Sequence, residues 1–282
     1  MSAHRPSASD QVETGLTPSQ GWHCGHFYYV FDRQQLAQLS REKLAAGCSQ
    51  FMEILDPKGA NATERLQSSI VSGHRADFGL MIMDPDPLKI DSVHQSLLAS
   101  DLGVAIKPTY SFISISEVSE YVPSLKDYAD KLLQEGETEG SPTFTAKVKA
   151  YEGRLPAMNR QRLTPDFSDW PATCFYPMNK KREVGANWFM LPVSARRELM
   201  SDHARSGMQF MGRVTQLITV AVGFDDWEWA VTLWARNPEF LKDIVYQMRF
   251  DEASAKYAEF GEFYVGYIVS PERILQHCRL LR

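Results

Sequence analysis

The chain contains no apolar run approaching the roughly 20 residues that a membrane-spanning helix needs. It also has no C-x-x-C pair: Cys24, Cys48, Cys174 and Cys278 stand far apart. Neither a disulfide framework nor a cysteine-based metal site is signalled, and the expectation is a reduced, cytoplasmic chain whose thiols serve packing. Basic charge is not in excess, since 30 Lys and Arg face 35 Asp and Glu for a net charge of −5. A nucleic-acid partner would need a basic surface, and none is expected. There is no Gly-rich phosphate loop, no G-x-S-x-G, no H-E-x-x-H and no haem-attaching C-x-x-C-H, so no chemistry that travels with those motifs is indicated. The opening stretch MSAHRPSASDQVETGLTPSQ lacks the apolar centre of a signal peptide, and its composition predicts a disordered tail over 1–20.

What is present is a chain of 282 residues, 44% hydrophobic and 11% aromatic, long enough for one large domain or two ordinary ones. Alternating or β-branched runs predict strands at 23–31 (HCGHFYYVF), 66–72, 77–84 and 108–118, with helical spacing over 41–54 and 88–100. A charged, helical connector follows over about 124–154. The same order then returns. A strand at 173–180 (TCFYPMNK) leads to a helix with Ser194 as its expected N-cap. Strands at 213–222 and 227–235 flank the turn Gly223-Phe224-Asp225-Asp226, and a helix at 238–248 precedes a strand at 262–269. Two β-α-β-β-α-β units predict an α+β fold of two ferredoxin-like halves that face each other across an antiparallel sheet or barrel. The division is a tail (1–20), a first half (21–123), a helical connector (124–170) and a second half (171–282).

Alternation on the strand at 173–180 points Cys174, Tyr176, Met178 and Lys180 to one face. The commoner reading of Lys180 is a side chain reaching water at the strand's end; the sharper one has it neutralising an anionic ligand beside Tyr176. His203 shares a helical stripe with Leu199, Gly207 and Phe210. A histidine there is more often a hydrogen-bonded core residue than a ligand, yet a neutral imidazole facing a cavity is what an iron porphyrin needs. Gly207 would leave room for a flat ring, with Trp188 near. Gln216 lies among apolar strand neighbours, where its amide needs a partner: an adjacent strand edge, or a ligand above a metal. His23 and His26 flank Cys24 and Gly25 on a strand, where neighbours diverge, and no second half of a metal site follows. His277 and Cys278 read as terminal packing.

The blocks CFYPMNKKR (174–182), NWFMLPVSARRELMSDH (187–203), QLITVAVGFDDWEWAVTLW (216–234) and YQMRFDEASAKYAEFGEFYVG (246–266) resemble the chlorite dismutase superfamily, and within it the coproheme decarboxylases. Before residue 150 only SFISISEVSEY (111–121) is similar. The resemblance implies a homopentamer of paired ferredoxin-like halves, and a peroxide-dependent conversion of iron coproporphyrin III to haem b. Iron coproporphyrin III would be both substrate and redox cofactor. The resemblance further implies His203 as the proximal iron ligand, Tyr176 as a tyrosine that becomes a radical, and Lys180 as its helper at the second propionate. Arg162 matches a propionate-binding arginine, and Arg249 is a further such partner. Pro177, Met178, Asn179 and Ser254 match other porphyrin contacts. Chlorite dismutases carry an arginine where this chain has Gln216, thirteen residues after His203. The neutral amide therefore argues for coproheme and against chlorite. The competing readings are a chlorite dismutase or peroxidase on the same fold and a non-catalytic porphyrin carrier or sensor. A transient contact with the ferrochelatase that supplies coproheme is a further expectation.

Overall fold

A computed structural model describes residues 14–60 and 62–281. The predicted tail falls largely outside them; within 14–20 the chain has no helix or strand, and the Leu16 carbonyl lies 2.8 Å from His23 Nε2. The first half runs His23–Phe31 (β1), Arg33–Gln38 (α1), Arg41–Ile54 (α2), Arg65–Val71 (β2), Phe78–Asp84 (β3), Pro87–Ala99 (α3) and Ile106–Ile115 (β4). Two helices, Leu125–Gln134 (α4) and Pro142–Leu163 (α5), connect it to the second half. There follow Ala172–Lys180 (β5), the small hairpin Arg182–Glu183 (β6) and Ala186–Asn187 (β7), Val193–Met208 (α6), Val214–Val220 (β8) and Trp229–Ala235 (β9). Pro238–Met248 (α7), Glu252–Ala255 (α8), Ala258–Phe260 (β10), Tyr264–Ile268 (β11) and Pro271–His277 (α9) complete the chain.

Local chemistry sets most helix starts. Ser40, Asp86, Asn237 and Ser270 each accept a backbone N–H from the first turn of α2, α3, α7 and α9. In the last three a proline follows at once, where its missing N–H costs nothing. The expected cap at Ser194 is not used. Helical geometry already begins at Val193, because Pro192 (φ −56°) leads directly into it, and Ser194 lies inside the first turn. The helical connector is interrupted after Gln134, where Gly136 and Gly140 adopt positive φ, and it extends beyond 154 to Leu163.

The strands of each half pair in the same order, β2-β3-β1-β4 and β8-β9-β5-β11, as two ferredoxin-like sheets require. Two seams join them: β11 pairs with β2 (Gly266↔Val71 to Ile268↔Ser69), and β4 meets β8 at Ile115↔Val220. The result is a closed eight-stranded antiparallel barrel, with β10 added beside the far end of β5. Gly266 permits the first seam, since a Cβ there would lie 2.7 Å from the Ile70 carbonyl oxygen. Alternation divides each strand between barrel interior and outer layer. On β1, Tyr28 points inward to Phe112, Phe175 and Tyr264, while Phe27, Tyr29 and Phe31 point outward to α2 and α3. The outer face of β5 and β9 packs on α7 and on Phe210.

Phe112 is fully buried in the interior cluster. Phe112→Ala should destabilise the protein by about 3–5 kcal/mol, through lost transfer energy plus an unfilled cavity. The shift in urea-unfolding midpoint measures it.

Candidate active site

Strand register assembles one outer face in the second half. Cys174 pairs with Leu233 and Leu233 with Gln216; Tyr176 pairs with Val231 and Val231 with Ile218. Paired residues share a face, so Tyr176, Met178 and Lys180 of β5 look the same way as Gln216 and Ile218 of β8, about 10 Å away across two strand spacings. Helix α7 and Phe210 cover the β5 and β9 part of this face. Gln216 and Ile218 are exposed beyond it, so Gln216 is not the buried amide expected from its apolar neighbours. Leu217 takes the inward position instead.

His203 projects from the inner side of α6. Its Nδ1 lies 3.0 Å from Asp251 Oδ2 and 3.4 Å from Ser254 Oγ. Asp251 is 6% exposed, caps α8 through Ser254 N (2.9 Å), and as a carboxylate only accepts. His203 Nδ1 therefore carries the proton and donates it to Asp251, which leaves the Nε2 lone pair outward and makes the ring a stronger donor. Ser254, expected to touch a porphyrin, is turned toward Asp251 and His203. Gly207, one turn beyond, does not leave a void, because a Cβ there would meet Met248 Cε at 3.0 Å.

Lys180 ends the same β5 face. Its Nζ sits 4.2 Å from the ring centre of Trp188, which is buried against Tyr257, Ala253 and Leu199. Burial pushes the Lys180 ammonium down to about 8, with Asp251 pulling in the opposite direction. Asp251 thus acts on both His203 and Lys180. Tyr176 is 6% exposed and stacked on Phe263 at 4.5 Å, with Phe260 at 5.8 Å. Burial raises its phenol well above the ordinary value, Cys174 adds to this, and Arg249 opposes it. The Arg249 guanidinium lies 4.0 Å from the Phe260 ring centre.

The structure therefore brings Tyr176, Met178, Lys180, His203, Arg249 and Gln216 to one region. Pro177 and Asn179 alternate to the other side of β5: Asn179 Oδ1 accepts from Glu228 N (2.8 Å), and Pro177 borders a cavity at the barrel's end. Arg162 stands in the last turn of α5, its Nη1 donating to the Met158 carbonyl, and no hydrogen bond or ion pair among the described residues joins it to β5. His26 and the four cysteines are buried, and His26 Nε2 lies 2.8 Å from Thr232 Oγ1 inside the barrel. Sequence reasoning missed Asp251, Phe260 and Phe263. The Asp-x-x-Ser run that caps α8 was a visible signal for Asp251, but only as a helix start.

Fold and site together define a two-half α+β barrel protein whose C-terminal half presents a carboxylate-anchored histidine near a buried phenol. The chain belongs to the chlorite dismutase family, whose model matches residues 41–269. It is 34% identical over 261 residues to the coproheme decarboxylase of Staphylococcus carnosus (strain TM300), covering 91% of this chain and 94% of the relative. A haem-binding protein from Thermus thermophilus superposes with a TM-score of 0.75 at 30% identity, covering 93% of this chain and 96% of that one. A mutant chlorite dismutase from Candidatus Nitrospira defluvii shares the fold (TM-score 0.69) at 15% identity, covering 93% and 97%.

The Lys180 site carries a pH signature. Below pH 8 the ammonium is charged in the folded and unfolded chain alike, and its burial cost is fully present. Between about 8 and its ordinary value of 10.5 the folded protein loses the proton first, so stability rises with pH. Lys180→Met should therefore be more stable than the parent near neutral pH, with an advantage that shrinks through this window. Urea midpoints of both proteins across the range check it.

Proposed function

We propose that this protein is a coproheme decarboxylase, which binds iron coproporphyrin III between α6 and the part of the outer face of β5 and β8 that α7 leaves open, and converts it to haem b with hydrogen peroxide. The observation that carries the reading is the His203–Asp251 pair, an imidazole with a fixed tautomer and a free Nε2. That is the donor an iron porphyrin takes as an axial ligand. The coproheme decarboxylase and haem-binding relatives support the same ligand class.

In this reading His203 Nε2 ligates the iron, and Lys180, Arg249 and Arg162 take propionate carboxylates through charge-assisted hydrogen bonds. Met178 packs on the macrocycle, Pro177 and Asn179 shape the segment around it, and Ser254 steadies the Asp251 carboxylate. Gln216 supplies a neutral amide, not a cation, over the iron. The substrate brings its own redox metal, so the protein's tasks are ligation, orientation and electrostatics. Hydrogen peroxide, acting through the iron porphyrin of the substrate, would take one electron from Tyr176, whose proton goes to water in the site, and Tyr176 becomes a phenoxyl radical. It then takes a hydrogen atom from the β-carbon of the adjacent propionate. The carbon radical returns one electron to the iron porphyrin and loses carbon dioxide, which leaves a vinyl group. Each round consumes one propionate and one peroxide and yields vinyl, carbon dioxide and water; two rounds give haem b. The reading further makes the protein a cytoplasmic homopentamer that receives coproheme from a ferrochelatase. Tyr246 and Phe250, exposed and edge-on at 5.1 Å, offer apolar surface for such contacts.

The direct test is to titrate the protein with iron coproporphyrin III, add peroxide and identify the porphyrins by mass. Haem b and a three-propionate intermediate are expected; coproheme returned unchanged would leave only a carrier. Tyr176→Phe should bind coproheme with parental affinity and form neither product, and normal haem formation by it would remove Tyr176 from the mechanism. His203→Ala should lose the histidine-ligated iron spectrum.

A further inference from the structure

Tyr176 is the buried end of an aromatic series that crosses the sheet. Phe263, stacked on it at 4.5 Å, is followed in the chain by Tyr264, which lies on the interior side of the barrel. Tyr264 stacks on Tyr28 at 4.1 Å and on Tyr110 at 5.3 Å. Tyr110, Phe260 and Phe263 border a cavity of about 500 Å³ at the barrel's end, together with Arg75, Trp227 and Glu262. The proposed reaction gives this cavity no role, and the Tyr110 hydroxyl is buried without a partner among the described residues.

The two ends of the series differ in what can take a proton. A phenol is oxidised readily only when its proton can leave with the electron. Among the described residues the Tyr176 hydroxyl makes no hydrogen bond, whereas the Tyr264 hydroxyl donates to Glu262 Oε2 (3.4 Å), itself 3.7 Å from Arg75. Glu262 is exposed and can hand the proton to solvent. An electron vacancy on Tyr176 can therefore settle on Tyr264, reached through Phe263, which stacks on Tyr176 and precedes Tyr264 in the chain.

We infer that Tyr264 is a reducing relay that returns Tyr176 to the phenol when its radical finds no propionate hydrogen to take. The inference rests on Tyr176 being oxidised as proposed above. One electron passes from Tyr264 to the Tyr176 phenoxyl, whose oxygen takes a proton from water in the porphyrin site. The Tyr264 O–H bond breaks, its proton goes to Glu262, and the phenoxyl remains on Tyr264. The oxidant is the Tyr176 radical alone, and no further reactant is consumed. The relay draws a misplaced oxidising equivalent away from the porphyrin and the residues that bind it.

Loading the full-length protein with haem b, whose reactive propionates are already vinyl groups, isolates this idle radical. One equivalent of peroxide is added with a nitroso spin trap, and adducts are mapped by peptide mass spectrometry. An adduct is expected on Tyr264, and it should be lost in Tyr176→Phe. In Tyr264→Phe, which keeps the stacked ring, the adduct should appear on Tyr176. That variant should convert coproheme at the parental first-turnover rate but lose activity sooner under repeated peroxide additions. Adducts confined to Tyr176 in the parent, or adducts on Tyr264 that persist in Tyr176→Phe, would overturn the relay. No adduct on Tyr176 in Tyr264→Phe, with coproheme left unconverted, would instead overturn the oxidation of Tyr176 on which the relay depends.

Discussion

Strand β5 sits at the centre of the second half's sheet, and its pairing decides both the core and the candidate site. It pairs with β9 over Ala172–Met178 along one edge, and with β11 over Ala172–Phe175 and β10 over Met178–Lys180 along the other. These pairings hold the second half together and help to close the barrel. They also fix which way every β5 side chain points. Phe175 fills the barrel while Tyr176 and Lys180 look outward to α6 and α7. A slip of one residue would put Phe175 in the site and bury Tyr176 in the barrel, so the register that makes the core also makes the site.

On that scaffold a single carboxylate organises the electrostatics. Asp251 is nearly fully buried, caps α8, accepts the His203 Nδ1 proton and pulls on the Lys180 ammonium. A buried carboxylate of this kind needs every partner it has. In return it sets the tautomer of His203 and opposes the burial that pushes the Lys180 ammonium down. Around it Trp188, Phe260 and Phe263 keep the site apolar, which strengthens each of these interactions.

Much of the fold was legible because it rests on local periodicity. Helices α2 and α7 fall on their predicted bounds, and the eight barrel strands appear in the predicted order. Barrel closure was less legible: the β4–β8 seam rests on one residue pair and the β11–β2 seam on three, and no pattern within a strand announces a partner in the other half. Strand β10, three residues long, carried too short an alternation to register. In the site, Tyr176 and Lys180 could be placed together from period two alone. The same rule puts Pro177 and Asn179 on the other face and Gln216 opposite the buried Leu217. Family resemblance named those residues without their directions. Asp251 stayed hidden because its two roles depend on a contact across 48 residues that only the packing of α6 on α8 creates.

The proposed function places an iron porphyrin between His203 and the face of β5 that carries Tyr176. A crystal structure of the complex with iron coproporphyrin III tests it most directly. The expected complex has iron bonded to His203 Nε2, Asp251 still accepting from Nδ1, and one propionate lying against Tyr176 within reach of Lys180. A porphyrin lodged in the barrel-end cavity beside Arg75 and Tyr110, or iron bonded to any other side chain, would contradict it.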